Sequence, residues 1–260
     1  MATFADVPTI DVRELARGSA QETALLARAC AHEGFFRLGS NGGVSEEIVA
    51  LNFAMDTMLW NSPEQQRLSL MTDPTCEVSG RGIEDRGARV LDPRSGAKRD
   101  MSMSFGWTRE FTTSEIKAAE HSCIEAIGSV PYWLNDFLRV PNRWATWIPG
   151  FPEGKLELVA AAKNPMLVVC RALEDVVGCG SGEITGIVEA HNLRARSNAY
   201  PPVELPVEEG QQRAGKHTDY GILTFLFTGG PGLHVQQRGT APQDDPLEGM
   251  WLPVPHTPGT

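Results

Sequence analysis

The residues best suited to chemistry stand in the run G-K-H-T-D-Y-G at 215–221. One residue separates His217 from Asp219, and on a β-strand two such side chains project from the same face. An imidazole and a carboxylate side by side make two-thirds of the facial triad, two histidines and one carboxylate, that binds ferrous iron and leaves positions open for oxygen and substrate. The pair alone is a weak signal, because H-x-D also arises by chance and in surface turns.

The sequence around this pair is far more specific than the pair itself. Its motifs, in chain order, are P-T-I-D at 8–11, E-G-F-F-R-L at 33–38, W-I-P-G-F at 147–151, R-S-N-A-Y-P-P at 196–202, H-T-D-Y-G-I-L-T-F-L at 217–226, G-L-H-V at 232–235 and M-W-L-P-V-P at 250–255. In this order they resemble the iron(II)- and 2-oxoglutarate-dependent oxygenases of the isopenicillin N synthase-like family. The resemblance runs through nearly the whole chain and is most specific at 196–255.

The resemblance implies an α+β fold, in which a helix-rich N-terminal region packs on a double-stranded β-helix, or jelly roll, that is incomplete at its C-terminus. It implies that His217 and Asp219 are the first two iron ligands, and that no catalytic side chain is needed beyond the metal site. Asn198 and Tyr200 match the family's N-x-Y, which helps to seat the carboxylate of 2-oxoglutarate. Their alternative role is a turn before proline with a half-buried strand tyrosine.

The cofactors that the resemblance implies are Fe(II), with 2-oxoglutarate and O2 as co-substrates. The implied reaction couples decarboxylation of 2-oxoglutarate to succinate with oxidation of a small molecule, by hydroxylation, desaturation or ring chemistry. Iron performs the oxidation, while the protein orients the reactants and excludes water.

The chain departs from the family where the second histidine is expected. That ligand follows the first by roughly 50–60 residues, and an R-x-S whose arginine pairs with 2-oxoglutarate comes after it. Thr260, the last residue, is only 43 residues beyond His217. Two histidines do follow, but His234 is expected on a strand and His256 in a turn between prolines. We therefore expect a fragment of a longer protein, with a truncated relative that holds iron poorly as the alternative.

Other functions remain open from the sequence. A family oxidase that does not use 2-oxoglutarate would lack the arginine of R-x-S. A relative without the distal ligand could serve as a non-catalytic interaction domain. A cupin-like barrel would need further metal ligands near the H-x-D, and Glu204, Glu208 and Glu209, beside proline and glycine, are expected in a solvated loop instead.

The chain is predicted to have a helix-rich front and a strand-rich back. We assign 1–125 to the non-haem dioxygenase N-terminal-like region, 126–180 to a linker with a long central helix, and 181–260 to the partial oxygenase domain. The helix signals are a capping box at Ser19 and Glu22, apolar spacing from Ser45 onwards, and a stretch at 155–177 that Pro165 should kink or divide. The predicted strands are 35–38, 193–200, 215–218, 222–227, 233–237 and 250–254.

Residues 72–112, rich in glycine and basic residues, are expected to form a long loop with little structure of its own. Its basic residues are Arg81, Arg86, Arg89, Arg94, Lys98 and Arg99. A solvated surface loop is the plainer interpretation, and a lid that meets an anionic substrate is the sharper one.

The composition excludes several classes of protein. The 23 basic and 33 acidic residues give a net charge of −10, which argues against binding to nucleic acid or anionic membranes. The start of the chain lacks a secretory signal, and five scattered cysteines are typical of reduced intracellular thiols. We expect a monomeric cytoplasmic protein whose partner is a small-molecule substrate.

Overall fold

The computed structural model describes residues 5–72, 80–85, 91, 99–131, 138–189, 193–202, 211–219, 221–237 and 249–257. The chain folds into two compact units. The first unit consists of residues 1–53, 160–192 and 217–260, and the second of residues 54–159 and 193–216. The domain boundaries expected at 125 and 180 stay a prediction.

Both units contain helices and short strands. In chain order the elements are β1 (Thr9–Ile10), α1 (Val12–Ala16), α2 (Ala20–His32), β2 (Arg37–Leu38), a 3-10 turn (Gly39–Gly43), α3 (Glu46–Trp60), α4 (Glu64–Leu68), β3 (Gly82–Glu84), β4 (Met103–Thr108), α5 (Thr113–Ile127), α6 (Phe151–Val177), α7 (Thr185–Glu189), β5 (Arg194–Ala199), β6 (His234–Gln236) and β7 (Trp251–Pro253). The mixed helix-and-sheet class predicted from the sequence is confirmed. Among the described residues, no helix combines the length and the apolar character that crossing a bilayer requires.

The first unit is built on two small sheets and the helices beside them. β1 pairs in parallel with β2, and β6 pairs antiparallel with β7. Its core is a cluster of buried apolar side chains from β1, α1, α2 and α6: Ile10, Leu15, Leu26, Val169, Ala172 and Leu173. The later half of α6 contributes three of these residues, so the long helix is a central support of this unit.

The capping box predicted at the start of α2 forms only in part. Ser19 caps the helix, because its hydroxyl accepts a hydrogen bond from the Glu22 amide at 3.4 Å. The Glu22 carboxylate does not complete the predicted capping box. It accepts instead from the amide of Asp11 at 2.9 Å, which ties α2 to the turn before α1.

The predicted long helices are confirmed. α3 begins at Glu46, directly after the predicted start, and α6 covers 155–177 while beginning four residues earlier, at Phe151. Pro165 lies inside α6, and the helix continues past it. The helix ends before Gly178, whose φ of 71° suits a residue without a side chain.

The second unit contains the three-stranded antiparallel sheet β3-β4-β5. Its central strand, β4, turns Phe105 and Trp107 into a core of buried apolar residues that comprises Met55, Leu59, Leu70, Ile83, Phe105, Trp107, Ala145, Ile148 and Phe151. The prediction that 72–112 has little structure is therefore wrong for β3 and β4. The alternation of aromatic and small residues in M-S-F-G-W-T is a strand signal that the surrounding glycines and arginines obscured.

Gly106 explains why β4 tolerates so little on its other face. A Cβ atom at this position would lie 1.9 Å from the carbonyl oxygen of Gly80, far inside contact distance. Arg81, next to Gly80, is 2% exposed and donates to the Thr108 hydroxyl at 2.6 Å. This arginine is thus a structural residue rather than part of a solvated basic loop. Arg86, Arg89, Arg94 and Lys98 lie outside the described residues.

The strand predictions for the second half of the chain succeed in part. β5, β6 and β7 fall within 193–200, 233–237 and 250–254. The segments 215–218 and 222–227 lie outside helices and strands, so their strand predictions are wrong. Helix α5 was not predicted, although Thr112 and Glu115 form a full capping box at its start.

Candidate functional site

β5 is held in place by a full ladder along β4. Ser197 lies opposite Phe105 and Asn198 opposite Ser104, and the pairing continues to Ala199. Because side chains alternate across a strand, Ser197 and Asn198 project from opposite faces. Asn198 is exposed, and Tyr200 follows the strand with 49% of its surface exposed. The N-x-Y pair is therefore presented to solvent at the end of a strand whose position is fixed by the sheet.

The hydroxyl of Tyr200 stays protonated at neutral pH. Burial, followed by the negative charge of Asp100, raises the pKa of Tyr200 above its usual value of 10.0. Asp100 itself is 3% exposed and accepts hydrogen bonds from the amides of Gly215 at 2.7 Å and Leu91 at 3.0 Å. Tyr200 can therefore donate a hydrogen bond to an anionic ligand.

A buried ionic network lies behind the exposed face of β5. The ammonium of Lys155, whose side chain is 0% exposed, donates to Asp56 Oδ1 at 2.6 Å and to Ser197 Oγ at 3.2 Å. The Ser197 hydroxyl in turn donates to Asp56 Oδ2 at 2.7 Å. Burial lowers the pKa of Lys155 from its usual value, and the nearby charge of Asp56 opposes this shift. We call Lys155, Asp56 and Ser197 the lysine network.

His217 and Asp219 come close together, although not on a strand. Residues 217–219 lie outside helices and strands, so the predicted strand at 215–218 does not bring the two side chains to one face. Even so, His217 Nε2 lies 3.6 Å from Asp219 Oδ1, and the two side chains are 38% and 55% exposed. Local backbone geometry brings the pair together instead of the alternation of a strand.

These two side chains fit part of an iron site. Neighbouring ligand atoms about 2.1 Å from a six-coordinate metal are about 3 Å apart, and the observed separation of 3.6 Å is close to this value. Their imidazole nitrogen and carboxylate oxygen are also the donor types of the facial triad. Within the described part of the chain, no three His, Cys, Asp or Glu side chains form a group that could hold a metal.

The two later histidines have other partners. His256 Nδ1 lies 3.1 Å from the Thr228 hydroxyl, and His234 Nδ1 lies 3.0 Å from the carbonyl oxygen of Gly232. His234 lies in β6, as expected, and its side chain is exposed. A third ligand to go with His217 and Asp219 is therefore not found among the residues that the structure describes.

The first unit buries a carboxylate that accepts hydrogen bonds from neutral donors. Glu174 is 4% exposed, and its Oε1 accepts from the amides of Ile184 and Thr185 and from the Thr185 hydroxyl at 2.7–3.0 Å. These hydrogen bonds, led by the Thr185 amide, lower the pKa of Glu174 from 4.5 to about 2 against the opposing effect of burial. The charge joins α6 to the start of α7.

The sequence analysis missed the lysine network and Glu174. One signal for Lys155 was available, since Phe151 and Val159 stand four residues before and after it and place it on an apolar helix face. Its partners could not be found in this way. Asp56 and Ser197 are 99 and 42 residues away in the sequence.

Comparison with known proteins agrees with the motifs. Residues 7–127 match the family model of the non-haem dioxygenase in morphine synthesis N-terminal domain. A homoarginine-6-hydroxylase of Arabidopsis thaliana is 25% identical over 248 residues, which cover 94% of this chain and 59% of that protein. The chain thus spans about three-fifths of the length of this relative.

Solved structures share the fold. A putative 2OG-Fe(II) oxygenase family protein from Caulobacter crescentus matches 99% of this chain with a TM-score of 0.65 at 18% identity, and the match covers 72% of that chain. A full-length Neurospora crassa protein, solved in complex with alpha-KG and 5-formyluracil, matches 98% of this chain with a TM-score of 0.63 at 17% identity, again over 72% of its own chain. The resemblance carried by the motifs is therefore confirmed: the chain is similar in sequence to 2-oxoglutarate-dependent dioxygenases and shares the fold of 2OG-Fe(II) oxygenase structures.

Proposed function

We propose that the protein is a non-haem iron oxygenase, which couples decarboxylation of 2-oxoglutarate and reduction of O2 to oxidation of a small molecule. The observation that carries this proposal is the approach of His217 Nε2 to Asp219 Oδ1 at 3.6 Å, in a chain with the fold of 2OG-Fe(II) oxygenases. In this proposal the strand-rich part of the chain forms part of a jelly roll, and the protein acts as a monomer in the cytoplasm.

The two pairs of candidate residues have different tasks. His217 and Asp219 supply two of the three protein ligands to Fe(II), and the iron supplies the oxidising chemistry when it is bound. Asn198 and Tyr200 help to seat the carboxylate of 2-oxoglutarate. A protonated phenol and an amide are suited to this task, because both donate hydrogen bonds to an anion without adding charge.

The substrate is proposed only as a class. The Arabidopsis relative is named for homoarginine, and the Neurospora structure contains 5-formyluracil. Both are small polar molecules. A small polar metabolite is therefore the proposed substrate, and the net charge of −10 makes nucleic acid an unsuitable partner.

The experiment is a turnover assay on the full natural chain, with Fe(II), ascorbate, 2-oxoglutarate and panels of amino acids and nucleobases. Succinate and O2 consumption are measured together, with Mn(II) replacing Fe(II) as the control. We expect succinate formation that requires Fe(II) and rises with one class of substrate. O2 consumption without succinate would favour an oxidase that does not use 2-oxoglutarate, and neither signal in any panel would contradict an oxygenase.

A further inference from the structure

The lysine network is a closed ring of three hydrogen bonds. Lys155 donates to Asp56 and to Ser197, and Ser197 donates to the other carboxylate oxygen of Asp56. The ammonium also lies 4.9 Å from the ring centre of Trp107 and 5.4 Å from that of Phe151, within reach of cation–π attraction. Every polar atom of the ring therefore has a partner, which is what allows a charge to stay buried at this position.

The network joins three elements of the second unit. Asp56 lies on α3, Lys155 on the first turns of α6, and Ser197 on β5. The carbonyl oxygen of Lys155 also accepts a hydrogen bond from Trp107 Nε1 of β4 at 3.1 Å. One residue of α6 thus contacts both strands at the point where Ser197 is paired with Phe105. Backbone pairing with β4 fixes one edge of β5, and the ring fixes its inner face.

Ser197 immediately precedes Asn198, and the two side chains lie on opposite faces of the same strand. A shift of the inner face of β5 therefore moves Asn198 directly and Tyr200 through the rest of the strand. Aliphatic side chains could pack against β5 at a range of positions. Hydrogen bonds of 2.6–3.2 Å instead fix both the distance and the direction of Ser197 relative to Lys155 and Asp56.

We propose that Lys155 is a positioning residue, which acts through Asp56 and Ser197 to fix β5 and thereby sets the affinity for 2-oxoglutarate. The proposal rests on the proposed function, because it takes Asn198 and Tyr200 as the residues that seat this co-substrate. Lys155 does not touch the co-substrate. Its effect is expected in binding rather than in the rate of the chemical step.

Ser197→Ala is the variant that tests the proposal, because it removes one hydroxyl and leaves the pair of Lys155 and Asp56 intact. Ser62→Ala is the matched control. Ser62 is also buried in the second unit and makes two hydrogen bonds, donating to the carbonyl of Met58 and accepting from Trp147 Nε1, and neither of these partners lies on β5. Both variants are made in the full natural chain.

Two readouts separate the proposal from the proposed function. Hydrogen–deuterium exchange of the peptide over 194–200 is measured without metal or co-substrate, and the Kd of 2-oxoglutarate is measured by calorimetry with Mn(II) under anaerobic conditions. For Ser197→Ala we expect exchange about fivefold faster and a Kd about five- to tenfold higher, with kcat at saturating 2-oxoglutarate within about twofold of wild type. Ser62→Ala should lower the Tm about as much as Ser197→Ala does, but it should leave the exchange of 194–200 and the Kd of 2-oxoglutarate unchanged.

Unchanged exchange and Kd in Ser197→Ala, or equal changes in Ser62→Ala, would overturn the proposal. If wild type itself does not bind 2-oxoglutarate, the proposed function fails together with the assigned effect on affinity. The exchange data would then still decide whether the network fixes the strand.

Discussion

In the second unit, Asn198 and Tyr200 stand on and just after a strand that is held by a neighbouring strand and by a buried ion pair. In the first unit, His217 and Asp219 lie outside helices and strands, and their side chains are 38% and 55% exposed. The candidate co-substrate residues are thus placed by the protein interior. The candidate metal ligands depend much more on local chain geometry, so binding of a metal is expected to contribute to their final arrangement.

The same contrast extends to the buried charges. The second unit balances the ammonium of Lys155 with a carboxylate, and this ion pair lies directly behind β5. The first unit balances the carboxylate of Glu174 with two amides and a hydroxyl, and this charge connects two helices. Removing one partner of a buried ion pair leaves the other charge uncompensated. Protonation of a carboxylate that is held by neutral donors removes the charge that those donors stabilise.

The largest expected effect is on activity. His217→Ala and Asp219→Ala should each reduce Fe(II)-dependent succinate formation by at least about 100-fold, because loss of a protein ligand weakens the hold on iron and alters its geometry. Without metal, the Tm of each variant should lie within about 2 °C of the wild-type Tm, since both side chains are partly exposed.

Thr218→Ala is the matched control for these two variants, because it removes an exposed side chain from the same segment. It should retain activity. If Thr218→Ala and His217→Ala lost succinate formation to the same extent, the segment would matter as a whole and the ligand assignment would be wrong.

The second effect is on stability. Asp56→Ala should lower the free energy of unfolding by about 3–5 kcal/mol, because it leaves the buried ammonium of Lys155 without its counter-ion. Urea titration checks this value. Adding Lys155→Met should recover most of the loss, since the unpaired charge is then gone.

The ion pair of Arg139 with Glu120 provides the control for that experiment. Its side chains are 51% and 21% exposed, and Glu120→Ala should cost less than about 1 kcal/mol. Equal losses for Asp56→Ala and Glu120→Ala would remove the distinction between a buried and a surface pair in this unit.

The smallest effect is a dependence on pH in the first unit. The pKa of Glu174 is about 2 in the folded chain against 4.5 as its ordinary value. The folded-state pKa is depressed, so the stabilisation is present above about pH 4.5 and is lost as the pH falls towards about 2. The Tm difference between wild type and Glu174→Gln should therefore shrink between about pH 6 and pH 3. A difference that stays constant over this range would show that the charge of Glu174 has no part in stability.

The sequence predicted well whatever depends on neighbouring residues. Helices α2, α3 and α6 were recognisable because apolar spacing and capping residues act within a few turns. β4 was missed because its glycine, Gly106, is typical of a loop in the sequence. Its role becomes visible only when the neighbouring backbone of Gly80 is known. Ile222 to Phe227 has high β-propensity, yet it lies outside the strands, because a strand also needs a partner at the right place.

The same distinction between local and long-range contacts applies to the candidate functional residues. The motif predicted that His217 and Asp219 could act together, and the side chains are in fact close, although the strand expected to arrange them is absent at 217–219. The lysine network could not be predicted, because Ser197 and Asp56 are 141 residues apart and meet only through the tertiary fold. The roles of His217 and Asp219 as iron ligands, and of Asn198 and Tyr200 as co-substrate residues, stay predictions.

The close approach of Gly106 to Gly80 limits how the gene can change. Every single-nucleotide missense change of a glycine codon introduces a side chain with a Cβ atom, and at position 106 that atom would lie 1.9 Å from a carbonyl oxygen. Gly186, in α7, has no atom within 4 Å of such a Cβ and would accept alanine. Selection is therefore expected to remove missense mutations at codon 106, so that only synonymous changes persist there. A mutation to alanine at codon 186 should be neutral.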